Sequence, residues 1–288
     1  MFNPIVLNSA SDFNNKISAI KEDINNFSKY FRIINNITFS ATEKPTTTNA
    51  DFSGYICGNG FTISGISISA NTKDSTYTTN VKDGNNDYGL FATIVGDTSK
   101  IIADKKQNTK EHQGVTSEQL ATVKDLTINV EYLSANQVKC VGTLAGSLID
   151  ANVSNIAITG KDVVVQGMNF VGGLAGQIIG KSIVKNITSN VSINAGKYIQ
   201  QDQTYVYDLT LGTSEQGTYN ITNYIDNATI NYSYAGAIAG VVHLIDTGKV
   251  ENVLVQSGSS LIANHAGLAF GLVGENSLVS HATAIIDN

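Results

Sequence analysis

VGTLAGSL at Val141–Leu148 and VGGLAGQI at Val171–Ile178 are one phrase written twice, and it recurs as AGAIAGVV at Ala235–Val242 and AGLAFGLV at Ala266–Val273. A looser copy, YGLFATIV, spans Tyr88–Val95. The leading glycines, Gly89, Gly142, Gly172, Gly236 and Gly267, lie 53, 30, 64 and 31 residues apart. The basic period is therefore near 30 residues, with one doubled step and one insertion, the mark of a repeat architecture. A second motif travels with the first: VKDLTI at Val123–Ile128, VSNIAI at Val153–Ile158, VKNITS at Val184–Ser189, VENVLV at Val250–Val255 and VSHATA at Val279–Ala284.

These segments alternate with a period of two and are bounded by Gly, Asn, Asp and Ser, so they read as strands. The connecting pieces are short, β-branched and asparagine-rich, which leaves no room for crossover helices. Copies of this length stack coil upon coil, each strand pairing with its neighbours ~4.8 Å above and below. The expected fold is all-β, a parallel β-helix, right-handed by the general chirality of parallel crossovers. Leu144, Leu174, Ile238 and Phe91 are expected to stack in one interior column, and Leu148, Ile178, Val242 and Val273 in another. Ser147 and Gln177 fall between them and are expected to see solvent at least in part; Gly146, Gly176, Gly240 and Gly271 are expected on the inward register, letting the coil narrow or bend. Asn155, Asn186 and Asn252, with Asp125 and His281 as variants, read as an asparagine ladder of amides bonded rung to rung.

A solenoid leaves open strand edges at both ends, and these must be covered. In Ser9–Phe27, Phe13, Ile17, Ile20 and Ile24 recur at helical spacing, with Ser11 and Asn14 placed to cap the start, so residues 1–30 read as a capping helix. Residues 31–288 then form the coil, with insertions near 71–87, 103–122 and 200–231. The last motif copy runs out at AIIDN with Asn288 in mid-rung, so the expectation is a truncated chain or a coil stacked on another molecule.

Composition narrows the function. Charged residues make up 15% of the 288, against ~25% in an average soluble domain. A formal charge of −6 opposes a nucleic-acid groove, which needs clustered Lys and Arg. The uncharged stretches Val163–Gly180 and Asn252–Gly274 are broken by Gln, Asn, Ser and Gly, so no membrane span is expected; no secretory signal is visible in MFNPIVLNSASDF. Cys57 and Cys140, the two cysteines, make no disulfide scaffold and are expected as buried thiols on different rungs.

The segment FSGYICGNGFTISGISI, Phe52–Ile68, together with the VGGLAG blocks, resembles the opening coil and repeats of bacterial surface proteins carrying GLUG repeats. Cys57 stands where those proteins usually have Asp. The resemblance covers Ser9 to Asn288 and implies an extracellular or cell-surface, adhesin-like or passenger segment, as in the non-catalytic regions of immunoglobulin A proteases. The chemistry of those proteases lies in a separate zinc domain, and no HExxH motif occurs here.

Candidate chemistry is sparse. A glycoside hydrolase on this scaffold needs two carboxylates ~5–9.5 Å apart on one groove. Asp125, Asp150, Asp162, Asp226, Asp246, Glu251, Glu275 and Asp287 do not share a column. Asp83–Gly89 resembles the start of a calcium loop but has Tyr88 at the glycine position and Ile94 in place of the bidentate Glu, and reads as a polar loop. His112, His243, His265 and His281 are scattered, so no metal or cofactor is expected. Asn-X-Ser/Thr sequons, at Asn36 and Asn152 among others, follow from composition. Around the third insertion, Tyr205, Tyr207, Tyr219, Tyr224, Tyr232 and Tyr234 suit a recognition surface, or else cover the flank of a degenerate rung.

The expected function is a non-catalytic rigid stalk or binding module. Its partners would be a host glycan or protein, or another copy stacked at the carboxyl-terminal edge. A polysaccharide-degrading or tailspike-like enzyme on the same coil and an end-to-end assembling subunit are the alternatives.

Overall fold

The computed structural model describes residues 3–18, 29–48, 50–69, 87–96, 120–135, 138–160, 163–196, 210–214, 217–220, 233–256, 260–275 and 277–285. Most of these are strand, and one helix is present among them. The strands fall into three large parallel sheets of thirteen, six and five strands.

The long sheet runs Ile5–Leu7, Tyr30–Ile33, Tyr55–Cys57, Ala121–Ser134, Ala151–Thr159, Ile183–Ser189, Lys249–Val255 and Leu278–Ala284 along its main path. The six-stranded sheet runs from Asp51–Phe52 to Phe270–Val273, and the five-stranded sheet from Asp87–Tyr88 to His265–Gly267. Each full copy of the VGTLAGSL phrase gives its first two residues, with the residue before them, to the five-stranded sheet and its later residues to the six-stranded one; the looser copy gives Tyr88 and the preceding Asp87. Its VSNIAI partner goes to the long sheet. Stacked parallel sheets of this kind are what a β-solenoid requires.

Register bears out the columns. Val123, Val153, Val184, Val250 and Val279 are Cα partners in turn, as are Ile94, Leu148, Ile178, Val242 and Val273. One assignment shifts by a residue. Phe91 aligns with Ala145 rather than Leu144, and Leu90, whose N–H reaches the Thr143 carbonyl (2.9 Å), precedes it in the turn. The interior columns are fully buried: Leu144, Leu174, Ile178 and Ile238 are all 0% exposed.

The glycines sit at a bend of the coil, where two backbones approach most closely. A Cβ on Gly146 would lie 2.6 Å from the Asp87 Cβ, and one on Gly176 2.6 Å from the Val141 nitrogen. They mark the corner where the six-stranded sheet folds against the backbone of the five-stranded one, leaving no space for a side chain.

The amino-terminal end begins with a strand. Ile5–Leu7 pairs parallel with Tyr30–Ile33, and the helix Ala10–Ser18 follows it. The N-cap is Ser9 rather than Ser11: the Asp12 N–H donates to Ser9 Oγ (3.1 Å), and the Asp12 carboxylate accepts from the Asn8 N–H (3.1 Å). Asn14 instead ties the helix to residues 44–46, donating to the Lys44 carbonyl (2.9 Å) and accepting from the Thr46 N–H (3.0 Å). Phe13 and Ile17 enter the core, Phe13 meeting Phe39 edge-on at 5.7 Å and Phe91 at 6.0 Å. Ile20 and Ile24 lie outside the described residues. In the last described rung Leu268 and Val273 are 52% and 43% exposed, whereas Ala237 and Val242 of the rung before are fully buried.

Candidate functional site

Asp125, Asn155, Asn186, Asn252 and His281 all hold positive φ, between 53° and 57°. Asn and Asp tolerate this left-handed conformation better than other non-glycine residues, and it lifts their side chains off the long sheet into one row. The Asn155 amide donates to Asp125 (2.7 Å), Asn186 to Asn155 (2.8 Å) and Asn252 to Asn186 (3.2 Å). The asparagine ladder expected from the sequence is present, exposed, on the outer side of the long sheet.

The more unusual chemistry lies at the corner between the other two sheets. Side chains alternate along a strand, so Val141 enters the main core while Cys140 stands on the opposite side of the same strand. There Cys140, Phe170, Tyr234 and Val241 form a second, separate cluster, with Leu272 against it. Two register columns face each other across this corner. One is Asp87, Cys140, Phe170, Tyr234 and His265; the other is Asp51, Thr93, Ser147, Gln177, Val241 and Leu272.

The carboxyl-terminal part of the corner is apolar and aromatic, with Phe170 and Tyr234 centroids 5.8 Å apart and Tyr234 stacked on His265 at 5.0 Å. The amino-terminal part is polar. Thr93 Oγ1 donates to Asp87 (3.1 Å), and the Ser147 hydroxyl and Cys140 thiol also bond to that carboxylate. Ser147 accepts from the Gln177 amide (2.8 Å), which leaves its own proton for Asp87. Burial pushes Asp87 up to about 6, and the three donors with the Lys139 charge only partly oppose that rise. Lys139, buried with its ammonium 5.0 Å above the Phe170 ring, is pushed down to about 8 by the same loss of water. The buried Cys140 thiol is raised well above its ordinary value, chiefly by burial, and is therefore a neutral donor. Asp51, beside the same Thr93 hydroxyl whose one proton goes to Asp87, is also raised, chiefly by loss of water.

The sequence reading missed this cluster. It treated Ser147 and Gln177 as at least partly solvent-facing, yet they are 0% and 3% exposed. The outward side of a strand is buried wherever the next sheet folds against it. Asp87 was read as part of the polar loop Asp83–Gly89; residues 83–86 lie outside the described set, and Asp87 turns its carboxyl to Thr93. One signal was available: Asp87, Lys139 and Cys140 all sit at the start of the Gly-Leu-Ala-Gly phrase.

Of the expected tyrosine surface, Tyr234 is a correction. It is 6% exposed and packs within the second cluster, so it offers no recognition surface. Tyr219 falls in Gly217–Asn220, the second strand of an antiparallel hairpin with Thr210–Ser214. Tyr205, Tyr207, Tyr224 and Tyr232 lie outside the described residues.

Asp150 and Asp246 hold positive φ at turns (49° and 50°), where Asp150 accepts from the Lys181 N–H (2.7 Å) and Lys181 pairs with Asp246 (3.6 Å). Among the described residues, no three His, Cys, Asp or Glu side chains gather as a metal site, and no helix is long and apolar enough to cross a membrane.

Two of the insertions share an anchor. One leaves after Thr62–Ser69 and returns at Asp87–Tyr88; the other leaves after Ser192–Ala195 and returns at Tyr234–Gly236. Both therefore open from the same turn of the rung, between the long and five-stranded sheets. In the two rungs between them only five residues (135–139) and two residues (168–169) separate the same two strands. No family model matches the chain, and neither a curated protein nor a solved structure is found similar to it.

Proposed function

We propose that this chain is a right-handed parallel β-helix, acting as a non-catalytic, extracellular or surface-exposed segment of a bacterial adhesin- or passenger-type protein of the GLUG-repeat kind. It is a rigid shaft that carries binding loops. The observation behind this reading is the common anchor of the two insertions: both join the stack at the same turn, and repeat proteins place recognition in insertions that share one face. The Asp87 cluster fits a structural role, because Thr93, Ser147 and Cys140 fill its acceptor sites from within the protein. The test replaces residues 197–232 by the short turn sequence of residues 135–139 and measures adhesion to host cells and a glycan panel. Unchanged circular dichroism with lost adhesion supports the reading; unchanged adhesion contradicts it.

A second reading, a polysaccharide-degrading enzyme, draws on the same corner: Asp51 and Asp87 both lie against Thr93, with Lys139 beside Asp87. New reducing ends from a glycan panel, abolished in Asp87→Asn, would establish it. Assembly end to end draws on the exposed last rung, and light scattering that rises with concentration would reveal it.

A further inference from the structure

We infer that Lys16 is an edge lock: its ammonium, seated on the Val6 carbonyl, closes the amino-terminal edge of the long sheet to a further strand, and so to a second copy of this chain. A lock of this kind would serve a shaft of any function, so it stands apart from the adhesive reading above.

Ile5–Leu7 is the terminal strand of the long sheet's main path, with Tyr30–Ile33 as its neighbour. The Leu7 carbonyl accepts from the Ile34 N–H (3.1 Å), so Leu7 turns its backbone groups toward that neighbour. Backbone groups alternate sides along a strand of a parallel pair, and those of Val6 therefore face the other way. Such an edge is a template for strand addition, the more so where it is apolar. Val6 is 37% exposed, and Ile34, just past the neighbouring strand, is 44% exposed.

Lys16 occupies this edge. Its Nζ donates to the Val6 carbonyl (2.9 Å) and pairs with Asp12 Oδ1 (2.7 Å) one helical turn back. The other Asp12 oxygen accepts from the Asn8 N–H, and the Asp12 N–H donates to Ser9 Oγ, which fixes the anion at the start of the helix. The hydrogen bond from Lys16 holds the Asp12 carboxyl below its ordinary value, so the pair stays charged. Phe13 and Ile17, buried in the core, hold the helix that carries the lysine. An arriving strand would have to drive the ammonium off its acceptor or bury it against new backbone. A buried charge costs far more than one ladder bond returns. Pro4, immediately before the strand, has no N–H for a partner to use.

The other two sheets finish in a similar manner at this end. Their terminal strands, Asp51–Phe52 and Asp87–Tyr88, are two residues long, and each begins with an aspartate. At the opposite end the terminal strands Leu278–Ala284, Phe270–Val273 and His265–Gly267 have seven, four and three residues and contain no Lys, Arg, Asp or Glu. Short edge strands and charges laid at an edge are how β proteins keep strands from pairing with the wrong partner. Here both devices gather at one end.

The test is sedimentation velocity on the whole chain over a concentration series, comparing the parent with Lys16→Met and Lys16→Arg. Lys16→Met keeps the apolar stem and removes the ammonium. It should self-associate at a concentration at least about 10-fold lower than the parent, roughly the worth of one hydrogen bond. Lys16→Arg, whose guanidinium can still donate to the Val6 carbonyl, should behave as the parent. Hydrogen exchange locates the contact: the Val6 amide should gain protection in the Lys16→Met assembly. Equal association of parent and Lys16→Met, or protection gained away from Ile5–Leu7, overturns the inference. Should Lys16→Met lose the parent's circular dichroism, the unaltered chain decides. Its Val6 protection must stay constant as concentration rises, and protection that grows there overturns the lock. A parent that associates while Val6 exchanges unchanged keeps the lock and places its contact elsewhere.

Discussion

The first and last described rungs of this stack are built from the same kinds of residue and buried to different extents. At the amino end, Leu7, Phe13, Phe31 and Ile37 are 0% exposed, because a strand and a nine-residue helix close over the core. At the carboxyl end, Val273, in a column otherwise fully buried, is 43% exposed. Position along the stack, and not residue type, decides what a side chain contributes. In a solenoid each rung is stabilised only by its neighbours, so equal side chains are worth different amounts at the two ends.

The largest effect should come from breaking the closed end. Phe13→Ala removes a buried ring that touches Phe39 and Phe91. It should cost about 3–5 kcal/mol, read as a fall in the urea midpoint. A loss under about 1 kcal/mol would mean that the helix does not close the core.

The second test concerns pH. Asp87 holds its proton up to about 6 when folded, against an ordinary 3.8. The folded chain thus binds more protons than the unfolded one across that window, and stability falls as pH rises from near 4 to near 6. Lys139, lowered to about 8, acts in the opposite sense: the unfolded chain binds more protons above that pH, so stability rises from near 8 toward 10.5. Asp87→Asn should abolish the acid-side fall, worth up to about 2–3 kcal/mol at 1.36 kcal/mol per pH unit. An unchanged profile of melting temperature against pH would remove Asp87 from the account.

A smaller loss is expected in the ladder. Asn186→Ala deletes two amide hydrogen bonds and forces alanine to a φ of 55°, for a cost of about 1–3 kcal/mol. Asn186→Gly relieves the backbone part and should cost less. Equal losses would show that backbone conformation is immaterial there. Smallest of all, Leu278→Ala, in the outward column of Lys249 and 56% exposed, should stay within about 0.5 kcal/mol. A loss like that of a buried leucine would show that something covers the last rung.

Much of the fold was legible because its determinants are periodic. Val153 and Val184, or Leu148 and Ile178, announce their column by recurring at one interval, and the same interval exposed Asn155 and Asn186 as a ladder. What stayed hidden depends on how sheets meet. Alternation sends Ser147 and Gln177 away from the main core, and a strand read alone offers only solvent on that side. The corner with the five-stranded sheet buries them, and with them Tyr234. Ile5–Leu7 was hidden for another reason: three residues carry no period, and their strand exists only because Tyr30–Ile33 lies beside it.

The account depends on rungs lying over one another in register. Arg32, Cys57, Lys124, Ser154, Lys185, Glu251 and Ser280 are successive partners in one outward column. Spin labels placed at Arg32 and, in turn, at Lys185, Glu251 and Ser280 are separated by four, five and six rungs. Pulsed electron resonance should give backbone separations near 19, 24 and 29 Å, rising ~4.8 Å per rung. Distances that fail to increase in that order, or that jump by more than a rung at one step, would contradict the stacked coil.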